Sequence, residues 1–212
     1  MTLRRMAFIL GLLGCSTSIS GSVDGATASN ARTAIFDEVT VDLPFLDDLT
    51  AFRVVLTDMP DACATLEEVF EATASGGDCS ERCANLTAVT SEQLGASSYW
   101  GLSLDATADA GVTQTYAFDT SFDALDAFDA SFSTWEMRAA YDQAACEDEC
   151  RDGNDAIVFT DDAAEGGSFT VDGYTELSEM TGEFEVDFGA GDALKGRFQA
   201  SRCDMSGWVW WL

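Results

Sequence analysis

The sequence predicts a mainly β fold: an antiparallel β-sandwich or barrel with one or two short helical insertions tied by disulfides. Three observations predict it. Short segments in which apolar and polar residues alternate recur along the chain, which is the period of a half-buried strand. The tripeptide Gly-x-Phe occurs three times inside such segments, beginning at Gly167, Gly182 and Gly196. Six cysteines follow residue 62, an even number that suits three disulfides.

The first half of the chain supplies strands on either side of the helical insertions. Ile35–Val41 and Phe52–Thr57 are predicted strands, the second with a continuous apolar run. After Pro60 the apolar residues of Ala62–Thr73 fall on one helical face. Cys79–Leu94 is either a second helix or an irregular loop, and Ser98–Leu104 returns to strand.

Residues 118–135 fit two periods. Their aromatic and leucine side chains recur every three or four residues, which predicts a helix. Ser131–Tyr141 alternates, which predicts a strand. We expect a short helix followed by a strand that begins at residue 131.

The last third predicts a meander of similar antiparallel strands, because the Gly-x-Phe segments are 15 and 14 residues apart. We expect Gly182–Cys203 to form a hairpin with its loop at residues 189–193. Folding about that loop sets Phe184 opposite Phe198 and Glu185 opposite Arg197. One face is then apolar and the other charged.

The N-terminus has the layout of an export signal. Two arginines precede a short apolar run that is well below the roughly 20 residues needed to span a bilayer. Leu12-Leu13-Gly14-Cys15 resembles the lipobox of prokaryotic lipoproteins. That resemblance implies cleavage before Cys15, lipid on its sulfur, acyl chains such as palmitate, and a membrane as partner. The alternative is an ordinary signal peptide with a chance cysteine.

These features divide the chain into a signal peptide (1–14), a lipidated cysteine with a polar tether (15–31), and a single β-rich domain (32–212). Ser20–Asp24 could instead be a first short strand. The resemblance implies attachment at the outer membrane or cell surface if the organism has an outer membrane. The C-terminal Gly-x-Phe strand followed by Cys203 also resembles uncharacterised β-rich bacterial surface lipoproteins, which imply no particular activity.

The charge balance is strongly acidic. The chain has 38 Asp and Glu residues against 10 Lys and Arg, a formal net charge of −28. Removal of residues 1–14 takes away Arg4 and Arg5, so 8 basic residues face 38 acidic ones and the net charge is −30. This composition argues against a nucleic-acid partner. It favours adaptation to high salt, with a cation-binding surface as the alternative.

The cysteines that follow Cys15 allow several pairings. Cys79 and Cys83 repeat the spacing of Cys146 and Cys150, so two packed helices could be joined by Cys79–Cys150 and Cys83–Cys146. Cys63 would then pair with Cys203. The alternative is closure within each short motif. A zinc site is disfavoured by the spacing and by the lack of histidine.

The sequence contains no recognisable catalytic motif. Without histidine, triads and histidine metal sites are excluded. We expect no cofactor and no metal, although Asp152-Gly-Asn154-Asp155 and Asp161-Asp162 are oxygen-rich enough to leave calcium open. Paired carboxylates could support hydrolysis of an extracellular polymer such as a glycan.

The C-terminus ends in a tryptophan-rich segment. A final strand would place Trp208 and Trp210 on one face. They either pack into the core or form an exposed platform for a surface glycan or a protein partner. Together these patterns predict an exported lipoprotein with a binding or structural role, and a carboxylate-dependent hydrolase as the alternative.

Overall fold

The structure is a computed structural model. Its strands form one sheet, and pairing between strands at the ends of that sheet closes it into a barrel. The structure describes residues 17–41, 49–74, 78–89, 98–109, 111–121, 125–136, 160–176 and 178–204. Within these ranges the strands are β1 (Ser18–Val23), β2 (Ala26–Thr27), β3 (Thr33–Val41), β4 (Leu49–Thr57), β5 (Ser98–Ala108), β6 (Thr115–Phe118), β7 (Ala127–Glu136), β8 (Thr160–Ala163), β9 (Gly166–Thr175), β10 (Glu179–Asp187) and β11 (Ala193–Arg202). The helices are α1 (Ala62–Ala74) and α2 (Cys79–Val89). The predicted mainly β class is confirmed.

The barrel ring contains eight strands in the order β10-β9-β6-β7-β5-β4-β3-β11, and β11 returns to β10. Most neighbours are antiparallel, as in a meander. Two short parallel pairings, β6 with β7 and β3 with β11, join the antiparallel set β7-β5-β4-β3 to the antiparallel set β11-β10-β9-β6. The strands β1, β2 and β8 extend the sheet outside the ring. The architecture is therefore a closed barrel with extra strands and two short helices.

Aromatic rings fill the barrel interior. Phe169 on β9 is fully buried, and its ring centre lies 5.7 Å from that of Tyr116, 5.7 Å from Phe128 and 5.8 Å from Phe198. The alternation of each strand turns these side chains inward and the polar residues outward. Because the rings contact one another across the barrel, its centre is a packed core rather than a ligand cavity.

The Gly-x-Phe repeat is a packing device between neighbouring strands. Phe184 on β10 is opposite Gly196 on β11, and Gly182 is opposite Phe198. A Cβ at Gly182 would lie 2.8 Å from Phe198 Cζ and 2.1 Å from the carbonyl oxygen of Thr170. Each ring thus occupies the space above a glycine where a side chain would stand, while the next strand approaches from the other side.

This pairing corrects the expected hairpin register. The hairpin exists and its faces are as predicted, but Glu185 pairs with Lys195, not Arg197, and Phe184 does not face Phe198. The last pair is Asp187 with Ala193, so the strands close around a loop at residues 188–192. A shift of two residues preserves which side chains point inward, and it exchanges the expected Phe184–Phe198 pair for the pairs Phe184–Gly196 and Gly182–Phe198.

The domain begins earlier than the expected boundary at residue 32. Strand β1 pairs with β11 over Ser18–Ser22, and Ile19 and Val23 are buried in the core. Residues 18–27 are therefore not a tether but part of the sheet. The alternative of a first short strand was the better interpretation, because alternating apolar residues here fill the interior next to β11.

The described parts of residues 118–135, which leave out 122–124, contain strand and no helix. Strand β6 ends at Phe118, and β7 begins at Ala127, four residues before the expected start. Phe128, Ala130 and Phe132 alternate inward along β7. The spacing of four between the two phenylalanines suits a helix and a strand equally, and cross-strand pairing with β5 decides for the strand.

Candidate functional site

A disulfide fixes α1 to the end of β11. Cys63 on α1 and Cys203 are bonded, with their Cα atoms 5.6 Å apart. Around them Ile35, Val55 and Met59 form a small apolar cluster on the outer face of β3 and β4. The bond therefore holds the short β3–β11 contact, where the ring of strands closes through only two residue pairs.

The same two sulfurs lie near the Glu67 carboxylate. Among the described residues, Cys63, Glu67 and Cys203 are the grouping whose ligand atoms are close enough for a metal ion. Both sulfurs are consumed by the disulfide, so neither can act as a thiolate ligand. This grouping is a structural bridge with an adjacent carboxylate.

The other predicted site residues divide between described and undescribed parts of the chain. Cys79 and Cys83 on α2 are both disulfide-bonded. Cys15 and the pairing candidates Cys146 and Cys150 lie outside the described residues. So do Trp208 and Trp210, and the calcium candidates Asp152, Asn154 and Asp155. Asp161 and Asp162 belong to β8, which pairs with β7.

An open groove of about 470 Å³ lies on the outer face of four neighbouring strands, β1, β11, β10 and β9. Two rows of polar residues cross it. The first row is Ser18, Arg197, Glu183 and Thr170; the second is Ser20, Lys195, Glu185 and Ser168. We call these eight residues the polar groove. In the middle of each row an acidic residue on β10 faces a basic residue on β11.

The ion pair between Arg197 and Glu183 in the polar groove is exposed. Arg197 Nη2 lies 3.2 Å from Glu183 Oε2, and the Arg197 side chain is 77% exposed. An exposed pair of this kind contributes only about 0–1 kcal/mol to stability. This pair can therefore open toward a polar ligand at small cost, and the hydroxyl groups of the neighbouring residues on β1 and β9 offer both donors and acceptors.

A second set of charges crosses the outer face of β3, β4, β5 and β7. Asp37, Arg53, Asp105 and Asp129 are successive cross-strand partners, and we call them the charged row. Arg53 Nε donates to Asp105, and Ser103 Oγ donates to Asp105 at 2.9 Å. Arg202 Nε lies 3.6 Å from Asp37 Oδ1 next to the β3–β11 contact.

One carboxyl group of the charged row, that of Asp129, has a shifted pKa. Partial burial raises the pKa of Asp129 above its usual value, and repulsion from Asp105 on the adjacent strand raises it further. The backbone N–H of Ala130 and the charge of Arg53 act in the opposite direction. Asp129 and Asp105 are thus neighbouring carboxyls with different partners, a pattern that acid–base sites share with structural ion networks.

Two tyrosines donate hydrogen bonds inside or at the rim of the barrel. Tyr116 donates to the carbonyl of Val112 at 2.6 Å, and burial raises its pKa to about 12. Tyr174 on β9 donates to Glu38 on β3 at 2.5 Å, and burial together with that carboxylate raises its pKa. Both hydroxyls stay protonated and serve as fixed donors. Tyr174 connects two strands that are not neighbours in the ring.

The described surface lacks the aromatic patch expected of one class of binding module. Among the described residues, Leu125 is the large apolar residue whose side chain is exposed. No helix within the described ranges is long and apolar enough to cross a membrane.

The sequence analysis placed the charged residues of β10 and β11 on one face of the hairpin, but it did not connect them with β1 or β9, and it did not group the charged row. Ser18 and Arg197 are far apart in the chain and meet only through the β1–β11 pairing. The alternation of β1 was the available signal for the groove. The chain matches no protein-family model, no curated protein and no solved structure.

Proposed function

We propose that this chain is an exported lipoprotein, anchored in a membrane through lipid on Cys15, whose barrel serves as a rigid binding or structural module. One observation carries the proposal. Strand β1 begins at Ser18 and pairs at once with β11. Cleavage before Cys15 would make Cys15 the mature N-terminus. The folded domain starts only three residues after it, at Ser18.

The packed interior supports a role at the outer surface. With Phe169 and its aromatic neighbours filling the centre, a ligand is more easily accommodated outside the ring. Among the described residues the polar groove is a concave feature with convergent donors and acceptors. A polar partner, such as a surface glycan, a headgroup or a protein, fits it better than an apolar molecule.

Membrane fractionation tests the anchoring. Expressed in a bacterial host, the wild-type chain should sediment with membranes and be released by detergent. Cys15→Ser should prevent lipid attachment and leave the chain unprocessed or released, while Ser16→Ala keeps the cysteine and should sediment like the wild type. Equal membrane association of Cys15→Ser and wild type would contradict the proposal.

A second candidate function is a carboxylate-dependent hydrolase acting on an extracellular polymer such as a glycan. The observation in its favour is the opposition of Asp105 and Asp129, one paired with Arg53 and the other with a raised pKa. Directly opposed residues have Cβ atoms about 4.5–5.5 Å apart, close enough for two carboxyls to share a substrate. Under this alternative, Asp129→Asn and Asp105→Asn each abolish release of reducing ends from a polysaccharide panel, whereas Asp172→Asn does not.

A further inference from the structure

The covalent path from Cys15 to the barrel is short. Thr17 is already attached to β11, because its Oγ1 accepts from the backbone N–H of Gln199 at 3.3 Å. Two peptide units separate Thr17 from Cys15, so their Cα atoms can be at most about 7 Å apart. A lipid on Cys15 would therefore hold this side of the barrel at the membrane surface.

The acidic and basic residues within the polar groove, next to this attachment point, are equal in number. In the polar groove Glu183 pairs with Arg197, and Glu185 faces Lys195, so two negative charges meet two positive ones. The flanking Ser18, Ser20, Ser168 and Thr170 are uncharged. The mature chain as a whole carries −30, with 8 basic and 38 acidic residues. The charges of the groove itself therefore balance on a strongly acidic molecule, and the exposed Glu179 and Asp187 flank it along β10.

Membrane surfaces commonly carry a negative potential, which repels acidic proteins over about one Debye length. A barrel held within a few ångströms of the bilayer is repelled less when the polar groove, which carries Lys195 and Arg197, is turned toward the headgroups than when a surface of acidic residues alone is. Lys195 and Arg197 can then donate to lipid phosphates, while the rest of the acidic surface faces water.

From this reach and this charge distribution, we propose that the polar groove lies against the lipid headgroups of the membrane that holds Cys15. The inference rests on the proposed lipid anchoring and adds an orientation: β1, β10 and β11 face the bilayer. Helix α1 packs outside β3, where Cys63 is joined to Cys203 by disulfide, and neither α1 nor α2 contributes a residue to the polar groove.

Lys195 makes this orientation measurable because it is the only lysine in the chain. A bulky, water-soluble amine reagent can be applied to the mature lipoprotein on vesicles of zwitterionic and anionic phospholipids. Peptide mass spectrometry then reads the labelling of Lys195 separately from that of the N-terminus. Arg82→Lys supplies a matched amine at an exposed position on α2.

We expect Lys195 to be labelled several-fold more slowly on vesicles than in detergent-free solution, where the unanchored Cys15→Ser mature domain is the reference. Labelling at position 82 should be the same in both. If Lys195 reacts on vesicles as fast as in solution while the protein remains bound, the orientation is wrong and the anchoring stands. If the protein does not bind vesicles at all, the anchoring fails and the orientation fails with it.

Discussion

The ring of Phe184 lies over the backbone of Gly196 on the neighbouring strand. The two residues are opposite each other, and a Cβ at Gly196 would be 3.0 Å from Phe184 Cζ and 2.0 Å from the carbonyl oxygen of Ser18. Gly196 therefore brings β1, β10 and β11 together at the polar groove. The position of β1, and with it the short path to Cys15, depends on this close approach.

Gly196→Ala should destabilise the barrel. The new methyl group meets a backbone carbonyl that cannot rotate away, so overpacking should cost about 1–3 kcal/mol or more. Gly166→Ala is the control, because a Cβ there has no heavy atom within 4 Å and should change stability by less than about 0.5 kcal/mol. Urea denaturation of both variants measures the difference. Equal midpoints would contradict the packing described for the Gly-x-Phe repeat.

The Cys63–Cys203 disulfide should contribute strongly to stability. It closes a sequence separation of 140 residues, and loss of such a bond typically costs about 2–5 kcal/mol. Cys63→Ala, Cys203→Ala and the double variant should all lose a similar amount in denaturant titration, because each removes the same crosslink. Single losses that add up in the double variant would show that the bond itself is not responsible.

Asp129→Asn should stabilise the protein at neutral pH. The raised pKa means that the folded state binds a proton more tightly than the unfolded state, so ionisation of Asp129 costs stability as pH rises above its unfolded value near 3.8. The advantage of the variant should be present at pH 7 and vanish below that value. Asp172→Asn controls for the loss of one negative charge. A constant difference between Asp129→Asn and wild type from pH 3 to 7 would contradict the assigned cause.

Added salt should raise the melting temperature of the mature domain. Its net charge of −30, from 8 basic and 38 acidic residues, disfavours the compact state through mutual repulsion. The Debye length falls from about 10 Å at 0.1 M to about 3 Å at 1 M, so most of the gain should appear within that range. A melting temperature that is flat between these concentrations would count against adaptation to high salt.

Alternation along the strands was enough to predict the mainly β class and the inward faces. Phe169, Phe184 and Phe198 all point inward as expected. The register of β10 against β11 was not predictable from that pattern, because a shift of two residues keeps every side chain on its face. The choice between registers depends on which residue lies opposite each phenylalanine, and that is a three-dimensional packing property.

The interpretation of residues 118–135 failed for a related reason. Phe128 and Phe132 are four residues apart, a spacing that a helix face and a strand face both satisfy. The charged face of the hairpin was predicted, but its extension onto β1 and β9 and the whole charged row were missed because their members come from distant strands. Ser18 meets Arg197 and Asp37 meets Arg53 only after the sheet has formed. The periodicity of a strand can be recognised within its own segment, whereas the order in which strands pair cannot.

The mass of the mature N-terminal peptide tests the central claim most directly. The lipoprotein should be extracted from membranes with detergent and digested, and the peptide that contains Cys15 analysed by mass spectrometry. Anchoring predicts that residues 1–14 are absent and that Cys15 carries the added mass of a diacylglycerol, with or without a further acyl chain on its amine. A peptide in which Cys15 is unmodified, or a mature chain that begins at another residue, would contradict the account.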